Sequence, residues 1–183
     1  GIGGLTTALA LSRAGRSVHV LERSSEFGEI GAGLQLAPNA TRILDRLGVL
    51  GELSRHAVFP DRLVWMDALR EEKITEIDLG PKFQARYGHP YIVMHRSDLL
   101  SALLQACRNS SLITLETDRQ VETVEDHGDS ARAICADGTV YDAEILIGAD
   151  GLRSKVRSLI STYEPVGDGY VAYRGTMLMS EMS

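Results

Sequence analysis

The sequence is poor in aromatic residues and in cysteine, and it has no long apolar run. Aromatic side chains make up 5% of the 183 residues, and the two cysteines, Cys107 and Cys135, have no metal-ligand spacing around them. We therefore expect no metal site, and we expect both thiols to be small buried residues in a reducing compartment, the cytoplasm. No apolar stretch approaches the roughly 20 residues of a membrane-spanning helix, so we expect no membrane segment.

The charge balance argues against two further classes of partner. The chain carries 19 basic and 25 acidic residues, a net charge of −6, and no block of lysine and arginine. Because nucleic acids and anionic membranes attract basic surfaces, we expect neither as a main partner. With 44% hydrophobic and 24% charged residues, the composition is that of an ordinary globular protein with one core or parts of two.

The most informative segment is the start of the chain. Gly1, Gly3 and Gly4 match the second half of a G-x-G-x-x-G fingerprint. An apolar helical pattern follows over residues 3–14, and a short β-like run then leads into Glu22. This order of glycine turn, helix, strand and acid is typical of a dinucleotide-binding fold.

Each part of this pattern has a physical role toward a nucleotide. Because glycine has no side chain, the backbone at Gly1 and Gly4 can approach a pyrophosphate closely. The N-terminus of the helix attracts the negative charge of the pyrophosphate. Glu22 can accept hydrogen bonds from both hydroxyls of an adenosine ribose. The alternative is a glycine turn that binds no ligand. The fingerprint lacks its first glycine and the strand before it, and the last residues show no cap or closing strand, so we expect truncation at both ends.

The rest of the chain alternates between helical and strand patterns. Helices are predicted over 38–47, 98–107 and 153–160, and strands over 62–67, 73–78, 90–94, 131–136, 140–143, 144–147 and 170–174. The pair Asp137-Gly138 is typical of a hairpin turn between two of these strands. Strands 62–67 and 73–78 are only half apolar, which indicates an antiparallel pair. The pattern predicts an α/β fold with a parallel sheet and an antiparallel meander.

A second Asp-Gly pair, Asp150-Gly151, lies in a different setting. It follows a predicted buried strand and precedes a predicted helix, and ligands of α/β proteins bind at that edge of a sheet. The Asp150 carboxylate can therefore accept hydrogen bonds from a cofactor. The alternative is a helix cap made by Asp150 or Ser154, with Arg157 in solvent.

Taken together, these motifs resemble those of the FAD-dependent aromatic hydroxylases, the single-component flavoprotein monooxygenases. The resemblance covers essentially the whole chain, and the salicylate and 3-hydroxybenzoate hydroxylase branch is the most similar. It rests on these blocks: Gly1-Ile2-Gly3-Gly4-Leu5 with Glu22-Arg23, Gly31-Ala32-Gly33-Leu34-Gln35-Leu36-Ala37-Pro38-Asn39-Ala40, Met94-His95-Arg96-Ser97-Asp98-Leu99, Gly148-Ala149-Asp150-Gly151-Leu152-Arg153-Ser154-Lys155-Val156-Arg157 and Tyr170-Val171-Ala172-Tyr173-Arg174-Gly175.

The resemblance implies a set of cofactor-binding residues. These are Gly1, Gly3, Gly4, Glu22, Arg23, Gln35, Arg96, Val121 and Asp150. Gln35 is expected at the ribityl chain or flavin ring, Arg96 at the flavin or its phosphates, and the Val121 backbone at the adenine. Asp150 is expected to contact both FAD and NAD(P)H. For Arg96 the alternative is a surface ion pair with Asp98.

The resemblance also implies a domain organisation and a reaction. Residues 1–165 are expected to form a Rossmann-like FAD-binding domain, with a strand excursion over 58–87, and residues 166–183 the first strand of a mixed-sheet substrate domain. The implied reaction is NAD(P)H-dependent hydroxylation of a small aromatic acid with molecular oxygen. No catalytic residue is assigned, because the general base of this family lies beyond the matching region. The alternatives are an FAD epoxidase, halogenase or reductase, or a non-catalytic nucleotide-binding fragment.

Overall fold

The computed structural model describes residues 1–28, 32–171 and 179–181. These residues form two compact units, each with its own core. The first unit comprises Gly1–Ala32 and Leu103–Ser183, and the second comprises Gly33–Ala102. None of the described helices is long and apolar enough to cross a membrane.

Both units contain helices and strands. In chain order they are α1 (Ile2–Arg13), β1 (Val18–Leu21), β2 (Gly33–Leu36), α2 (Pro38–Arg46), α3 (Leu50–Leu53), β3 (Arg62–Met66), β4 (Lys73–Asp78), α4 (Pro81–Tyr87), β5 (Ile92–His95), α5 (Arg96–Arg108), β6 (Ile113–Glu116), β7 (Val121–Asp126), β8 (Ala131–Cys135), β9 (Val140–Ala143) and two 3₁₀ turns, Val156–Leu159 and Met179–Glu181.

The first unit is built on a parallel strand pair, as the sequence predicted. Strand β1 pairs with β6, with Val18 opposite Ile113 and Leu21 opposite Glu116. Helix α1 precedes β1 and ends where Gly15 adopts a left-handed φ of 76°, a conformation that costs glycine little. The apolar face of α1 belongs to a core formed by Leu5, Ala8, Leu9, Leu103, Leu104, Cys107, Ala133 and Cys135.

The predicted antiparallel meander is also present in the first unit. Strand β8 pairs with β7 on one side and with β9 on the other. The turn from β8 to β9 contains Gly138 at a φ of 82°, and its N–H donates to the Cys135 carbonyl at 2.9 Å. Cys107 and Cys135 are free and buried, as predicted.

Three predicted elements of the first unit differ from the structure. Residues 144–147 form no strand, and Ile145 and Ile147 are 75% and 51% exposed. A strand persists only where a neighbour accepts its backbone hydrogen bonds, and no described strand pairs with this segment. The predicted helix over 153–160 is reduced to the 3₁₀ turn Val156–Leu159. In the predicted strand 170–174, residues 170 and 171 are not strand and the remainder lies outside the described residues.

The second unit contains two antiparallel strand pairs with helices around them. Strand β2 pairs with β5, from Gly33 opposite His95 to Leu36 opposite Ile92. Strands β3 and β4 form the predicted antiparallel pair. The buried Thr41 hydroxyl of α2 donates to the Pro90 carbonyl at 2.8 Å and so fixes the entry into β5. The helices α3 and α4 were not predicted. The core comprises Leu44, Leu47, Val49, Leu50, Leu53, Leu79, Ile92, Met94, Leu99 and Leu100.

Candidate functional site

The glycine turn at the start of α1 presents backbone N–H groups to a ligand. Helix α1 begins at Ile2, and Gly1 is its N-cap residue, which provides no side-chain cap. The first N–H groups of any helix have no acceptor within the helix, and the first turn of α1 contains no acidic residue. These donors and the positive end of the helix dipole favour an anion such as a phosphate.

Glu22 lies beside this turn, as the fingerprint predicted. It follows β1, and its Oε2 lies 2.9 Å from the Gly1 nitrogen, while its Oε1 accepts a hydrogen bond from the Ser24 amide at 3.2 Å. Burial by itself raises the pKa of Glu22, while hydrogen bonds from the terminal ammonium group of Gly1 and from the Ser24 amide, together with the charges of that ammonium group and of Arg23, lower it below the ordinary value. The side chain is 19% exposed. It is therefore an ionised acceptor that a ligand can still reach.

The Asp-Gly segment packs against the same turn. A Cβ added to Gly3 or Gly4 would lie 3.8 Å or 3.7 Å from the Cβ of Ala149. The two motifs, which lie far apart in the chain, thus meet at the N-terminus of α1. Both distances are ordinary van der Waals contacts, so Ala149 lies directly beside the helix start. Ala149 was not among the predicted site residues, since an alanine carries no chemical signal in a sequence.

Asp150 acts as a cap in this structure, which is the alternative that the sequence left open. Its Oδ1 accepts from the Ser154 hydroxyl at 2.5 Å, and its Oδ2 accepts from the amides of Lys155 at 2.6 Å and Val156 at 3.3 Å. Burial by itself raises the pKa of Asp150, and these hydrogen bonds together lower it. Arg157 is not simply solvated, because its Nη2 donates to the Leu152 carbonyl at 2.7 Å.

Gly148 is required by the packing of this segment. A Cβ at this position would lie 2.5 Å from the Cβ of Val156 and 2.9 Å from one of its γ-methyl groups. Contacts this short force a displacement of backbone or side chain. The absence of a side chain at Gly148 therefore lets the 148–151 segment lie against the 3₁₀ turn that Asp150 caps.

Two further predicted residues of the first unit lie near Glu22. Arg23 follows it directly and is exposed. Val121 begins β7, two residues after Arg119, whose amide donates to the Glu22 carbonyl at 2.9 Å. Backbone pairing thus brings the start of β7 to the end of β1 that carries the acid.

Gln35 and Arg96 belong to the second unit. Gln35 lies on β2 opposite Val93, and its Oε1 accepts a hydrogen bond from the Tyr91 hydroxyl at 2.5 Å. Arg96 is the first residue of α5, directly after β5. Tyr91, the residue directly before β5, was not predicted as a site residue. Residues 29–31 of the glycine-rich loop before Gln35 lie outside the described residues.

Comparison with known proteins identifies the type of domain. The model of the FAD binding domain family matches residues 1–178. The chain belongs to this family. The match confirms the predicted resemblance and the predicted α/β class of this FAD-binding domain.

Relatives of this FAD-binding domain are monooxygenases by name. The chain is 41% identical to 3-hydroxybenzoate 6-hydroxylase 1 of Aquipseudomonas alcaligenes, over 100% of this chain and 46% of that protein. It is 36% identical to 6-hydroxynicotinate 3-monooxygenase of Bordetella bronchiseptica, over 95% of this chain and 45% of that protein. The chain thus spans under half the length of these relatives.

Solved structures show the same fold. The Klebsiella pneumoniae protein HpxO, in complex with FAD and uric acid, is similar with a TM-score of 0.72 and 27% identity, over 87% of this chain and 39% of that one. A tetrameric form of 2-methyl-3-hydroxypyridine-5-carboxylic acid oxygenase gives a TM-score of 0.73 and 30% identity, over 86% and 39% of the two chains.

Proposed function

We propose that this chain is the FAD-binding part of a longer enzyme that hydroxylates a small aromatic acid with NADH or NADPH and molecular oxygen. One observation carries the proposal. The glycine turn of α1, the ionised Glu22 and the 148–151 segment all meet at one end of the parallel pair β1–β6. In α/β proteins this is the end at which nucleotides bind.

The chemistry of this end fits the adenosine and pyrophosphate portions of FAD. The unpaired N–H groups at the start of α1, with Gly1, Gly3 and Gly4, are proposed to hold the pyrophosphate. Glu22 is proposed to accept from the ribose hydroxyls, since a glutamate carboxylate is ionised at neutral pH. Arg23 and the Val121 backbone are proposed to make further contacts with the adenosine portion of FAD.

The remaining predicted contacts are assigned to other parts of the cofactors. In the second unit, Gln35 and Arg96 are proposed to contact the flavin, its ribityl chain or its phosphates, because an amide and a guanidinium supply donors for flavin oxygens and phosphates. Asp150 is proposed to contact FAD and the reduced nicotinamide cofactor. Bound FAD would supply the redox chemistry that the side chains of this chain lack.

The names of the relatives support an aromatic acid as substrate. They are hydroxylases or monooxygenases of 3-hydroxybenzoate, 6-hydroxynicotinate and 3-amino-4-hydroxybenzoate, all of which are ring acids that bear a hydroxyl group. We propose a substrate of this class for the enzyme that contains this chain. We also propose a cytoplasmic location, since the reaction consumes NADH or NADPH and both buried cysteines are free thiols.

A test of FAD binding compares Glu22→Ala with a matched control in the full-length protein. Loss of the carboxylate removes charge-assisted hydrogen bonds to the ribose, so we expect binding to weaken by about 1.5–3 kcal/mol. Titration of the apoprotein, followed by the change in flavin fluorescence, measures the dissociation constant. Glu26→Ala is the control, because Glu26 is an exposed acid of the same loop. An unchanged constant for Glu22→Ala would exclude Glu22 from the FAD site.

A further inference from the structure

Strand β6 and the turn that follows it hold the backbone on both sides of Glu22. The Glu22 amide donates to the Glu116 carbonyl at 2.8 Å, and the Arg119 amide donates to the Glu22 carbonyl at 2.9 Å. The Asp118 amide donates to the Ser24 carbonyl at 3.0 Å. Asp118 adopts a φ of 55°, in the left-handed region, so the turn has an uncommon backbone conformation that its surroundings must hold.

The Arg119 side chain ties this turn to the neighbouring strands. Its Nε–H lies 2.8 Å from Glu116 Oε2 and 2.7 Å from the Tyr141 hydroxyl, and its Nη1 donates to Asp137 Oδ2 at 3.1 Å. The Tyr141 hydroxyl in turn donates to Glu116 Oε2 at 2.6 Å. On the other side of Glu116, its Oε1 lies 2.8 Å from His19 Nε2 on β1. One guanidinium therefore joins β6, the turn and the β8–β9 hairpin.

The charges in this cluster stabilise one another. Hydrogen bonds from Tyr141 and Arg119 lower the pKa of Glu116, and the hydrogen bond with Glu116 raises the pKa of Arg119. Both groups stay ionised across the neutral range. A planar guanidinium can hold several acceptors in fixed directions, which the point charge of lysine cannot.

We propose that Arg119 is a positioning residue for the adenosine end of FAD. It holds the 117–120 turn, and this turn sets the place of Glu22 on one side and of Val121 on the other. The inference rests on the proposed function, in which Glu22 and Val121 contact the adenosine. Arg119 itself has no assigned contact with the cofactor and acts through the backbone of its turn.

This role predicts a change in the preference between two flavins. FMN carries the flavin and one phosphate but no adenosine, so its binding does not use Glu22 or Val121. A substitution that only unfolds part of the protein lowers the apparent affinity for FAD and FMN by the same factor. A substitution that misplaces the adenosine contacts weakens FAD alone and reduces the ratio of the two affinities.

The experiment measures dissociation constants of FAD and FMN for the full-length apoprotein and for Arg119→Gln, with near-ultraviolet circular dichroism as the measure of folded fraction. We expect Arg119→Gln to reduce the FAD preference about tenfold, and Arg119→Lys to restore little of it. Arg132→Gln is the matched control, because Arg132 pairs with Asp142 on the same meander at 2.7 Å and 3.3 Å. This control should leave the preference unchanged.

Tyr141→Phe keeps the test decisive if Arg119→Gln fails to fold. It removes only the hydroxyl that bonds Arg119 and Glu116, and we expect a smaller reduction of the FAD preference in the same direction. An unchanged preference in the folded variants would overturn the inference, even if their melting temperatures fall. If Glu22→Ala itself leaves FAD binding unchanged, the proposed site is wrong. If Glu22→Ala weakens FAD and the variants of the turn do not, only the role of Arg119 is wrong.

Discussion

At the scale of single residues, the two candidate cofactor-binding carboxylates of the first unit, Glu22 and Asp150, both already accept hydrogen bonds. Hydrogen bonds to the ionised form lower the pKa of Asp150, and for Glu22 the terminal ammonium group of Gly1 contributes to a shift in the same direction. Glu22 receives its bonds from Gly1 and Ser24 at the rim of the glycine turn. Asp150 already uses both oxygens for Ser154 and the amides that follow. Glu22 likewise uses both of its oxygens, so a cofactor at either carboxylate must share oxygens that already accept hydrogen bonds.

The cap made by Asp150 predicts a pH-dependent loss of stability in Asp150→Asn. At pH 7 we expect the free energy of unfolding to fall by about 1 kcal/mol, since an amide NH₂ replaces one acceptor of the capped amides. A carboxylate with a lowered pKa stabilises the fold above its ordinary value of 3.8 and loses this effect as the pH falls through the folded pKa. The difference between Asp150→Asn and the unmodified protein should thus shrink below about pH 3.8.

Urea unfolding at a series of pH values measures this difference. Asp129→Asn is the control, since Asp129 is an exposed acid whose hydrogen bond is to the hydroxyl of Ser130 rather than to helix amides. A penalty for Asp150→Asn that stays constant from pH 7 to about pH 3 would show that the carboxylate charge does not support the cap.

At the scale of elements, the sequence predicts best where the hydrophobic pattern and the turn residues agree. Helix α1 with its stop at Gly15, and the β8–β9 hairpin around Gly138, form close to their predicted bounds. The apolar run 144–147 has an equally clear pattern and forms no strand. Periodicity reports what a segment can bury, while a strand also needs a neighbour for its backbone groups. Whether such a neighbouring strand is available depends on the whole fold and not on the sequence of the segment itself.

The close packing beneath the 148–151 segment predicts that Gly148→Ala destabilises the first unit. The new Cβ would lie 2.5 Å from the Cβ of Val156, so the segment or the 3₁₀ turn must move. We expect a loss of about 1–3 kcal/mol in the free energy of unfolding, the usual effect of overpacking. The same movement should weaken FAD binding, because Ala149 packs against Gly3 and Gly4.

Chemical denaturation and flavin titration of Gly148→Ala measure the two effects. Gly51→Ala is the control, since Gly51 lies in α3 with open space around a new Cβ and its substitution should be neutral or stabilising. Equal stability and FAD affinity for Gly148→Ala and the unmodified protein would contradict this account of the packing.

At the scale of the whole molecule, motifs predicted the family and the fold class, while three-dimensional contacts had to come from the structure. The spacing of the glycine turn and Glu22 along the chain was sufficient to predict their meeting. The contact of Ala149 with Gly4 joins distant parts of the chain through small residues that leave no pattern. The same is true of Arg119, whose partners Tyr141 and Asp137 come from the meander. Tertiary contacts of this kind depend on strand pairing, which a single sequence specifies only indirectly.

The proposed reaction requires the longer enzyme of which we propose this chain to be a part. The proposed function requires that an aromatic acid and a reduced nicotinamide cofactor act on one FAD. The decisive measurement therefore uses the full-length protein that contains this chain. Anaerobic stopped-flow mixing with NADH, and then with NADPH, follows the bleaching of the flavin absorption. The acids to compare are 3-hydroxybenzoate, salicylate and an aliphatic carboxylate.

We expect a yellow protein that retains FAD and whose flavin is reduced faster in the presence of an aromatic acid than with the aliphatic control. Admission of oxygen should then yield that acid with one additional ring hydroxyl, identified by mass spectrometry. A protein that binds no FAD, or one whose flavin is reduced at the same rate with all three acids and yields no hydroxylated product, would contradict the proposed function.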